Sequence, residues 1–365
     1  MGSRDSLIVG KTRRFDSVSR RIPSLSVYCR TSLPFLDMIV DSSSVGARFS
    51  VVIVNYNGGA MLLDCARSAV QEGVPASQII IVDNGSRDDS IQTLQKKVAG
   101  TLVIRNTCNA GFARAVNQGI ALTSAEFILL LNNDAQLEAG ALQAFADGFD
   151  RLPNLAIAGG QLRYPDGRLQ SAFAPLPSLA EEILPTILLK LISPGRFRRK
   201  ALEENPMVAE CVLGACLCVR SSVLPKLGLL DEHYFFFFEE IDWCRRAWQI
   251  GAEVYYLPKA GARHWQGHTA NRFRGPSRVE YQRSKLIYFR KSQKPVAYLV
   301  LSVFLVLRTL INAASGTVMC AATLCLNRRL RLKTWTYWFV FCWHALGRPA
   351  NWGLPGKCAG RHGAN

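Results

Sequence analysis

Residues 127–134 constrain the fold more than any other stretch of this sequence. They read FILLLNND, an uninterrupted run of apolar residues followed by two amides and a carboxylate. Such a run, bounded by polar residues, is typical of a central strand buried on both faces. An unpaired charge is too costly inside that strand, so Asp134 is expected at its carboxyl end, where open α/β sheets bind ligands. The simpler alternative is that Asn133 and Asp134 start a turn and cap a helix at about 137–149.

Strand and helix patterns alternate ahead of this stretch. Buried strands are predicted at 50–57, 79–83 and 101–105, with helical patterns between them. This alternation predicts a parallel sheet with crossover helices. Asp83 also ends a buried strand, so we expect Asp83 and Asp134 at the same edge of the sheet. A Rossmann dinucleotide site is disfavoured, because NYNGG at 55–59 stands where GxGxxG is needed.

The second half of the sequence is predicted to extend the sheet. Further strands are predicted at 156–164, 211–219 and 252–257. Gly214, inside the second of these, permits close approach of another group to the backbone. Residues 174–207 contain several prolines and a basic cluster. We interpret them as an excursion from the sheet, either on the acceptor side or facing a membrane.

Three acids follow a run of four phenylalanines at 235–238. Carboxylates beside a wall of aromatic rings can have raised pKa values, which suits a general base. Glu239, Glu240 and Asp242 are therefore candidate catalytic residues. The alternatives are that all three favour the dipole at a helix start, and that Asp242 forms an i, i+4 salt bridge with Arg246.

Charge and hydropathy set the last quarter of the chain apart. The net charge is +17, and no Asp or Glu follows Glu280. An apolar run at 296–326 is interrupted by Arg308, and an aromatic segment at 335–343 follows basic residues. We predict an interfacial helix or hairpin on an anionic membrane surface, with Arg308 snorkelling. The alternative is that both segments pack on the globular domain. Nucleic acid is not expected as a partner, because the charges flank apolar runs.

Eleven cysteines are scattered through the chain without a CxxC pair or the spacing of a metal finger. We predict that they are reduced, buried and part of a cytosolic protein. Residues 1–48 are basic and rich in Ser and Arg, without the sustained apolar core of a secretory signal. We predict that this extension is disordered.

Five motifs stand in an order that resembles a known family. They are VVIVNYN at 51–57, IVDNGS at 81–86, NAGF at 109–112 with NQG at 117–119, LNND at 131–134, and FFFEEIDWCRR at 236–246. Over about residues 49–290 the chain resembles family 2 inverting glycosyltransferases, and more narrowly their bacterial rhamnosyltransferase-like branch. The resemblance implies the α/β GT-A fold of nucleotide-diphospho-sugar transferases, with a mostly parallel central sheet flanked by helices. Residues 291–365 would then add the basic, apolar, membrane-associated helices.

The resemblance also implies a donor site with Mg²⁺ or Mn²⁺ as cofactor. Asp134 matches the last acid of the family's metal-binding strand end, although amides occupy the two positions before it. His264, from RHWQGHT at 263–269, is the implied second metal ligand, and His268 is the alternative ligand. Asp83 is implied to contact the nucleoside base. The other implied nucleotide-sugar contacts are Asn55, Asn57, Asn109, Gly111, Arg114, Asn117 and Asn133.

The family's base is the Asp of a Glu-Asp-x-Asp pattern, and this sequence has Glu240 at that position. Glu240 is therefore the expected base, with Asp242 and then Glu239 as alternatives. The implied reaction moves a sugar from a dTDP-, UDP- or GDP-sugar to a lipid-linked glycan, in cell-surface polysaccharide synthesis at the cytoplasmic face of the inner membrane. Rhamnose is the sugar suggested by the branch. Transfer to a soluble or protein acceptor and a non-catalytic nucleotide-sugar-binding role are the competing hypotheses.

Overall fold

The structure is a computed structural model that describes residues 44–192, 205–266 and 273–358. Residues 1–43 of the extension predicted to be disordered, part of the 174–207 excursion and His268 lie outside these ranges. The last residues of that extension are described, and the prediction of disorder is wrong for them. Within the described ranges, the chain starts with a short 3₁₀ helix, Val45–Arg48. The guanidinium of Arg48 donates hydrogen bonds to Glu126 and Asp150, which ties this turn to the sheet domain.

The first half of the domain is the predicted parallel α/β unit. In chain order it contains β1 (Phe49–Asn55), α1 (Ala60–Gln71), β2 (Ile79–Asp83), α2 (Ser90–Lys97), β3 (Leu102–Arg105), α3 (Phe112–Ile120) and β4 (Phe127–Leu131). Their spatial order is β3-β2-β1-β4, with all neighbours parallel. β1, β2 and β4 are almost entirely buried, as their β-branched and apolar sequences require. In this register Asn55 lies beside Asp83 at the carboxyl edge.

The second half turns the sheet into a mixed one. It contains β5 (Ala135–Leu137), α4 (Ala141–Arg151), β6 (Leu155–Arg163), β7 (Phe173–Ala174), α5 (Leu179–Ile183), α6 (Thr186–Ile192), β8 (Met207–Val208), β9 (Cys211–Val212), β10 (Cys216–Arg220), α7 (Leu224–Leu227), α8 (Glu239–Gln249) and β11 (Glu253–His264). The sheet continues as β4-β10-β6-β11-β5, with β8 beside β11 and with β7 and β9 paired separately. β10 is antiparallel to both of its neighbours, whereas β6 and β11 are parallel.

The segment after Asp134 is a strand, so the alternative of a helix capped by that residue is wrong. β5 pairs antiparallel with the end of β11, and Ala135 lies opposite His264. The backbone N–H of Trp265 also donates to the Asp134 carbonyl oxygen at 2.9 Å. Sheet pairing therefore outweighs local capping here, and it brings two residues separated by 130 positions side by side.

The strand predicted at 211–219 is broken in the middle. β9 ends at Val212 and β10 begins at Cys216, and the residues between them leave the sheet. A Cβ atom on Gly214 would lie 3.7 Å from the side chain of Glu240, an ordinary packing distance. The break thus places backbone, rather than a bulky side chain, against a candidate catalytic acid.

Three helices form a C-terminal layer, α9 (Arg274–Ser292), α10 (Pro295–Ala322) and α11 (Arg328–Ala345). The predicted domain boundary at 290 falls in the last turn of α9. One stripe of α10 is buried, including Leu301, Leu305 and Ala313. The rest of α10 exposes large apolar side chains, such as Ile311 and Val318 at 65% and 69% exposure. Among the described residues, α10 is the one helix whose length and composition suffice to cross a membrane.

Candidate active site

A cavity of about 390 Å³ opens at the carboxyl edge of the sheet. Six of the residues that were singled out in the sequence line it together: Asn109, Asn133, Asp134, Glu239, Glu240 and His264. They come from four separate parts of the chain, and the crossover topology brings them to one edge. Ligands of α/β sheets bind at such edges, and the cavity is large enough to hold much of a nucleotide-sugar.

Asp134 and His264 form the polar centre of the cavity. Their Oδ1 and Nε2 atoms are 3.3 Å apart, and both side chains are largely buried. The pairing of β5 with β11 sets this distance, because the two residues lie at the paired ends of these strands. The sequence did not place His264 beside Asp134; that proximity was implied only by the resemblance.

Gln170 decides which nitrogen of His264 faces Asp134. Its Nε2 donates to the backbone oxygen of His264 at 2.5 Å, and its Oε1 lies 3.0 Å from Nδ1. A carbonyl oxygen can only accept, so the orientation of the amide is determined. Oε1 must then accept from Nδ1–H, so the second ring nitrogen, Nε2, faces Asp134. No sequence signal marked Gln170, which is 95% buried.

The pair of side chains suits a cation between them. An imidazole lone pair and a carboxylate oxygen, 3.3 Å apart, repel each other unless a proton or a metal ion lies between them. Oxygen and imidazole donors suit Mn²⁺, and oxygen donors suit Mg²⁺. Within the described ranges, no group of three or more His, Cys, Asp and Glu side chains could hold a metal. Asp134 and His264 can supply two ligands, so a metal bound here would take its other ligands from substrate and water.

Asn55 and Asp83 lie behind the cavity wall rather than in it. Asn55 is fully buried, and its Nδ2 is 3.2 Å from Asp83 Oδ1 and 2.9 Å from the hydroxyl of Ser90. Its Oδ1 accepts from Nδ2 of Asn133 at 3.0 Å. Neither Asn55 nor Asp83 lines the cavity, whereas Asn84 and Asn133 do. We interpret this network as the support that orients Asn133.

Three other predicted donor contacts also lie outside the cavity lining. Asn117 uses its amide to bind both the N–H and the carbonyl of Leu230. Arg114 faces Glu232 at 4.0 Å, and Asn57 accepts from the backbone N–H of Arg87. The roles of these three residues as donor contacts stay predictions. In this structure their side chains stabilise loops around the site.

Gly111 is required by both conformation and space. Its φ is +91°, and a Cβ atom would lie 2.9 Å from the carbonyl oxygen of Phe235. That oxygen accepts from the N–H of Phe112 at 2.7 Å, which joins the start of α3 to the phenylalanine segment. The side chain of Asn109 accepts from the N–H of Gly111 at 3.0 Å and closes the turn. The loop that carries Asn109 is therefore held against the phenylalanine segment that leads into Glu239 and Glu240.

Glu239 and Glu240 enter the cavity through a strained turn. Phe237 and Phe238 both have left-handed backbones, with φ of 72° and 71°. That conformation costs a non-glycine residue on the order of 1 kcal/mol or more, and it persists only where packing enforces it. The ring of Phe238 packs on Tyr281 at 5.3 Å. The turn starts α8 so that both glutamates line the cavity.

Both glutamates have raised pKa values. Burial is the main cause for each, and the charge of Glu240 adds to the effect on Glu239. The hydrogen bond from the N–H of Gly214 works in the opposite direction at Glu240. Within the described part of the chain, one carboxylate oxygen of each glutamate has no hydrogen-bond donor. These two oxygens are buried, which fits the raised pKa values of both carboxyl groups.

Asp242 is in a different situation, although it lies in the same turn of helix. Its two oxygens accept from Arg245 and Arg246, each at 2.8 Å, and its side chain is 2% exposed. It does not line the cavity. The salt bridge with Arg246 that the i, i+4 spacing predicted is therefore present, and Arg245 adds a second ion pair.

A C-terminal segment closes one side of the cavity. Nothing in the sequence indicated that this segment would lie there. Leu354 lines the cavity, and the N–H of Asn109 donates to the Gly356 carbonyl at 2.8 Å. Cys108 and Cys358 form a disulfide, so the prediction that all cysteines are reduced is wrong for this pair. Spacing could not predict it, because the tertiary fold alone joins residues 250 positions apart. The other described cysteines are free, and six of the eight are buried.

The sequence profile described as Glycosyl transferase family 2 matches residues 50–223. These residues form a family 2 glycosyltransferase domain. The match covers β1 to β10 and ends before Glu239, Glu240 and His264. The predicted fold class and the prediction of a transferase enzyme are confirmed.

Two relatives match most of the glycosyltransferase and their own length. The chain is 25% identical over 253 residues to N-acetylglucosaminyl-diphospho-decaprenol L-rhamnosyltransferase of Mycobacterium tuberculosis, covering 65% of the chain and 82% of the relative. It is 22% identical over 265 residues to the low-salt glycan biosynthesis hexosyltransferase Agl10 of Haloferax volcanii, covering 70% and 81%.

Two solved structures have weaker similarity. GalNAc-T7 with UDP, GalNAc and Mn²⁺ has a TM-score of 0.47 and 17% identity, covering 66% of this chain and 47% of that one. The mannosyltransferase PcManGT of Pyrobaculum calidifontis, with GDP-Man and Mn²⁺, has a TM-score of 0.46 and 13% identity, covering 82% and 86%. This chain thus spans about half of the length of the first structure.

Proposed function

We propose that this glycosyltransferase is metal-dependent and inverting, and that it transfers a sugar from a nucleoside diphosphate to a hydroxyl of a lipid-linked glycan. The observation that carries the proposal is one cavity that contains both the Asp134–His264 pair and two glutamates with unpaired oxygens. The first pair suits a cation beside a diphosphate, and the second suits a base beside a hydroxyl.

On the donor side, Asp134 and His264 would hold Mg²⁺ or Mn²⁺. A hard divalent cation offsets the negative charge that develops on the diphosphate as it departs. Gln170 keeps the Nε2 lone pair of His264 directed at the same point as the Asp134 carboxylate. Asn109 and Asn133 lie on the cavity wall and present polar atoms to the nucleotide and sugar.

On the acceptor side, Glu240 is the proposed base. The acceptor oxygen forms the new bond to the anomeric carbon while its proton moves to the free oxygen of Glu240. The nucleoside diphosphate leaves from the opposite face, so the anomeric configuration inverts. A carboxyl group whose pKa is raised by burial is a stronger base than an exposed one, which suits this task. Glu239 lines the same cavity and is the alternative base; Asp242 is disfavoured by its two arginines.

The acceptor proposal rests on the relative from M. tuberculosis, whose name states transfer of rhamnose to a lipid diphosphate sugar. We infer that this chain uses a similar acceptor in cell-envelope polysaccharide synthesis, with rhamnose as the favoured sugar. The base of the donor, whether thymine, uracil or guanine, follows from the experiment below.

We further propose a location on the cytoplasmic face of the inner membrane. The exposed apolar face of α10 and the cations at the start of α11 support contact with an anionic membrane surface. One face of α10 is packed on the protein, which favours a helix or hairpin lying in the interface over a free spanning helix. A soluble or protein acceptor is the second candidate. Deleting residues 291–365 would not test it cleanly, because that also removes Leu354 and Cys358 from the donor side.

The deciding experiment is calorimetric binding of dTDP, UDP and GDP, each with and without Mn²⁺. The wild type is expected to bind one of them with Mn²⁺ and only weakly without it, and Asp134→Ala is expected to lose the metal-dependent part. Asp147→Ala, which removes a surface carboxylate on α4, is the matched control and should bind as the wild type does. Binding that ignores both Mn²⁺ and Asp134 would refute the metal proposal.

A further inference from the structure

A group of cations lies between the catalytic cavity and the exposed apolar face of α10. Lys285 and Arg278 on α9 both lie over the ring of Tyr281, with Nζ at 4.9 Å and Cζ at 5.6 Å from the ring centre. Arg308 of α10 is near enough to lower the pKa of Lys285, although burial is the larger cause and Glu182 acts in the opposite direction. We call Arg278, Lys285 and Arg308 the basic cluster.

The basic cluster has more positive charge than its surroundings neutralise. Lys285 is buried and paired with Glu182 at 2.6 Å. Neither Arg278 nor Arg308 forms an ion pair or a hydrogen bond with another described residue; each contacts only an aromatic ring. Arg278 and Arg308 are both exposed, so their guanidinium groups can reach an anionic ligand that approaches from solvent.

Aromatic contacts connect the basic cluster to the catalytic cavity. Phe237, which lines the cavity, packs edge-on against Tyr281 with ring centres 5.5 Å apart. The charge of Glu240 contributes to the raised pKa of Tyr281, after burial and Glu182. One aromatic residue therefore separates the candidate base from the cations.

Exposed apolar surface adjoins the basic cluster on its other side. Leu307 and Ile311, on either side of Arg308 in α10, are 52% and 65% exposed. α5, which carries Glu182, leads into α6, where Ile187 and Leu191 are 73% and 74% exposed. A ligand that crosses this region would meet a base first, then cations, then an apolar surface. A lipid-linked diphosphate sugar has the matching order of a hydroxyl, phosphates and a hydrocarbon chain.

We propose that Arg278 and Arg308, supported by Lys285, bind the phosphate groups of the lipid-linked acceptor. The inference rests on the acceptor class of the proposed function and adds the residues that recognise it. Phosphates of ordinary anionic phospholipids have the same chemistry and could occupy the same guanidinium groups. The experiment therefore separates a specific acceptor diphosphate from general contact with lipid headgroups.

The test uses the full chain with Arg278→Gln, Arg308→Gln and the double substitution. Arg328→Gln with Arg329→Gln is the matched control, because these cations are exposed at the start of α11 and outside the basic cluster. The probes are farnesyl diphosphate and farnesol, with binding measured by calorimetry in a neutral detergent. Each substitution in the cluster is expected to weaken farnesyl diphosphate binding about tenfold and to leave farnesol binding unchanged.

A second measurement follows sedimentation with phosphatidylglycerol vesicles. The control variant is expected to bind these vesicles less well and farnesyl diphosphate as the wild type does. The inference is wrong if the cluster variants lose vesicle binding alone, or if the wild type does not prefer farnesyl diphosphate to farnesol. Retained Mn²⁺-dependent nucleotide binding in each variant shows that it is folded.

The outcome is distinguishable from a failure of the proposed function. If the double variant transfers sugar to a lipid diphosphate acceptor with unchanged KM, the reaction stands and the basic cluster is not its phosphate site. If farnesyl diphosphate binding depends on both arginines but no lipid-linked acceptor receives sugar, the phosphate site stands and the acceptor proposal falls.

Discussion

The sheet edge and the C-terminal helical layer border the same region of the molecule but contain different kinds of side chain. At the sheet edge, two amides and a carboxylate, those of Asn55, Asn133 and Asp83, hold one another in a largely buried hydrogen-bonded network. In the helical layer, aromatic rings and long cations lie beside exposed apolar side chains. The first arrangement holds groups in place, whereas the second offers a surface on which a flexible, amphipathic ligand can lie.

The same contrast recurs within one turn of α8, where the helical layer and the sheet edge meet. Glu239 and Glu240 face the cavity with unpaired oxygens, whereas Asp242 is held by two arginines. The two acids that each keep one unpaired oxygen line the cavity, and the acid with both oxygens paired stabilises the fold. A structure that satisfies every carboxylate would leave no base.

The largest effect is expected from Glu240→Gln, which removes the proposed base without changing its size. We expect kcat to fall about 10³-fold, in the range that general bases contribute, while Mn²⁺-dependent nucleotide binding is unchanged. Steady-state kinetics and calorimetry measure the two quantities. If Glu239→Gln causes the larger loss, the base is Glu239, and the contrast with Asp242 still holds.

The pH dependence sharpens this prediction. Because burial raises the folded-state pKa of Glu240 above its ordinary 4.5, the neutral form is favoured in the folded protein. Its contribution to stability is therefore complete below pH 4.5 and is lost as pH rises through the folded-state pKa. At neutral pH, Glu240→Gln is expected to be at least as stable as the wild type, and this difference should vanish on acidification in chemical unfolding experiments.

Asp242→Asn is expected to show the reverse pattern. Removing a buried charge from between two arginines destabilises the fold. We expect a loss of about 2 kcal/mol rather than more, because both guanidinium groups can still reach solvent. The folded variant should keep kcat close to that of the wild type. Urea unfolding and kinetics below the unfolding transition measure both effects. A variant with normal stability and a greatly reduced kcat would show that Asp242 acts in catalysis.

A smaller effect is expected from Gln170→Leu, which tests how firmly the sheet edge is held. Loss of the partner that orients His264 should weaken Mn²⁺ binding about tenfold and leave metal-free nucleotide binding unchanged. Titration of Mn²⁺ followed by electron paramagnetic resonance measures this. Gln170→Glu keeps an acceptor for Nδ1–H and should bind Mn²⁺ better than Gln170→Leu does. Equal losses in both variants would mean that the acceptor role is unimportant.

Much of the sheet edge was predictable because its signals are local. An apolar run that ends in a carboxylate predicts a strand end, and Asp134 lies at one. The paired glutamates were predicted from the phenylalanines before them. By contrast, Gln170 follows an ordinary turn, and nothing in its neighbourhood indicates that it binds a histidine 94 positions away.

The sequence by itself determined the four parallel strands of the first half, their crossovers and the chemical groups available at one sheet edge, because periodicity and turn residues act over a few positions. Only the tertiary structure decided which of those groups face the cavity. Asp242 and Asn117 bind structural partners instead, and His264 is paired with Asp134. The disulfide holds the segment at Cys358 against the loop that carries Asn109. These outcomes depend on contacts between distant segments, whose energies no local pattern records.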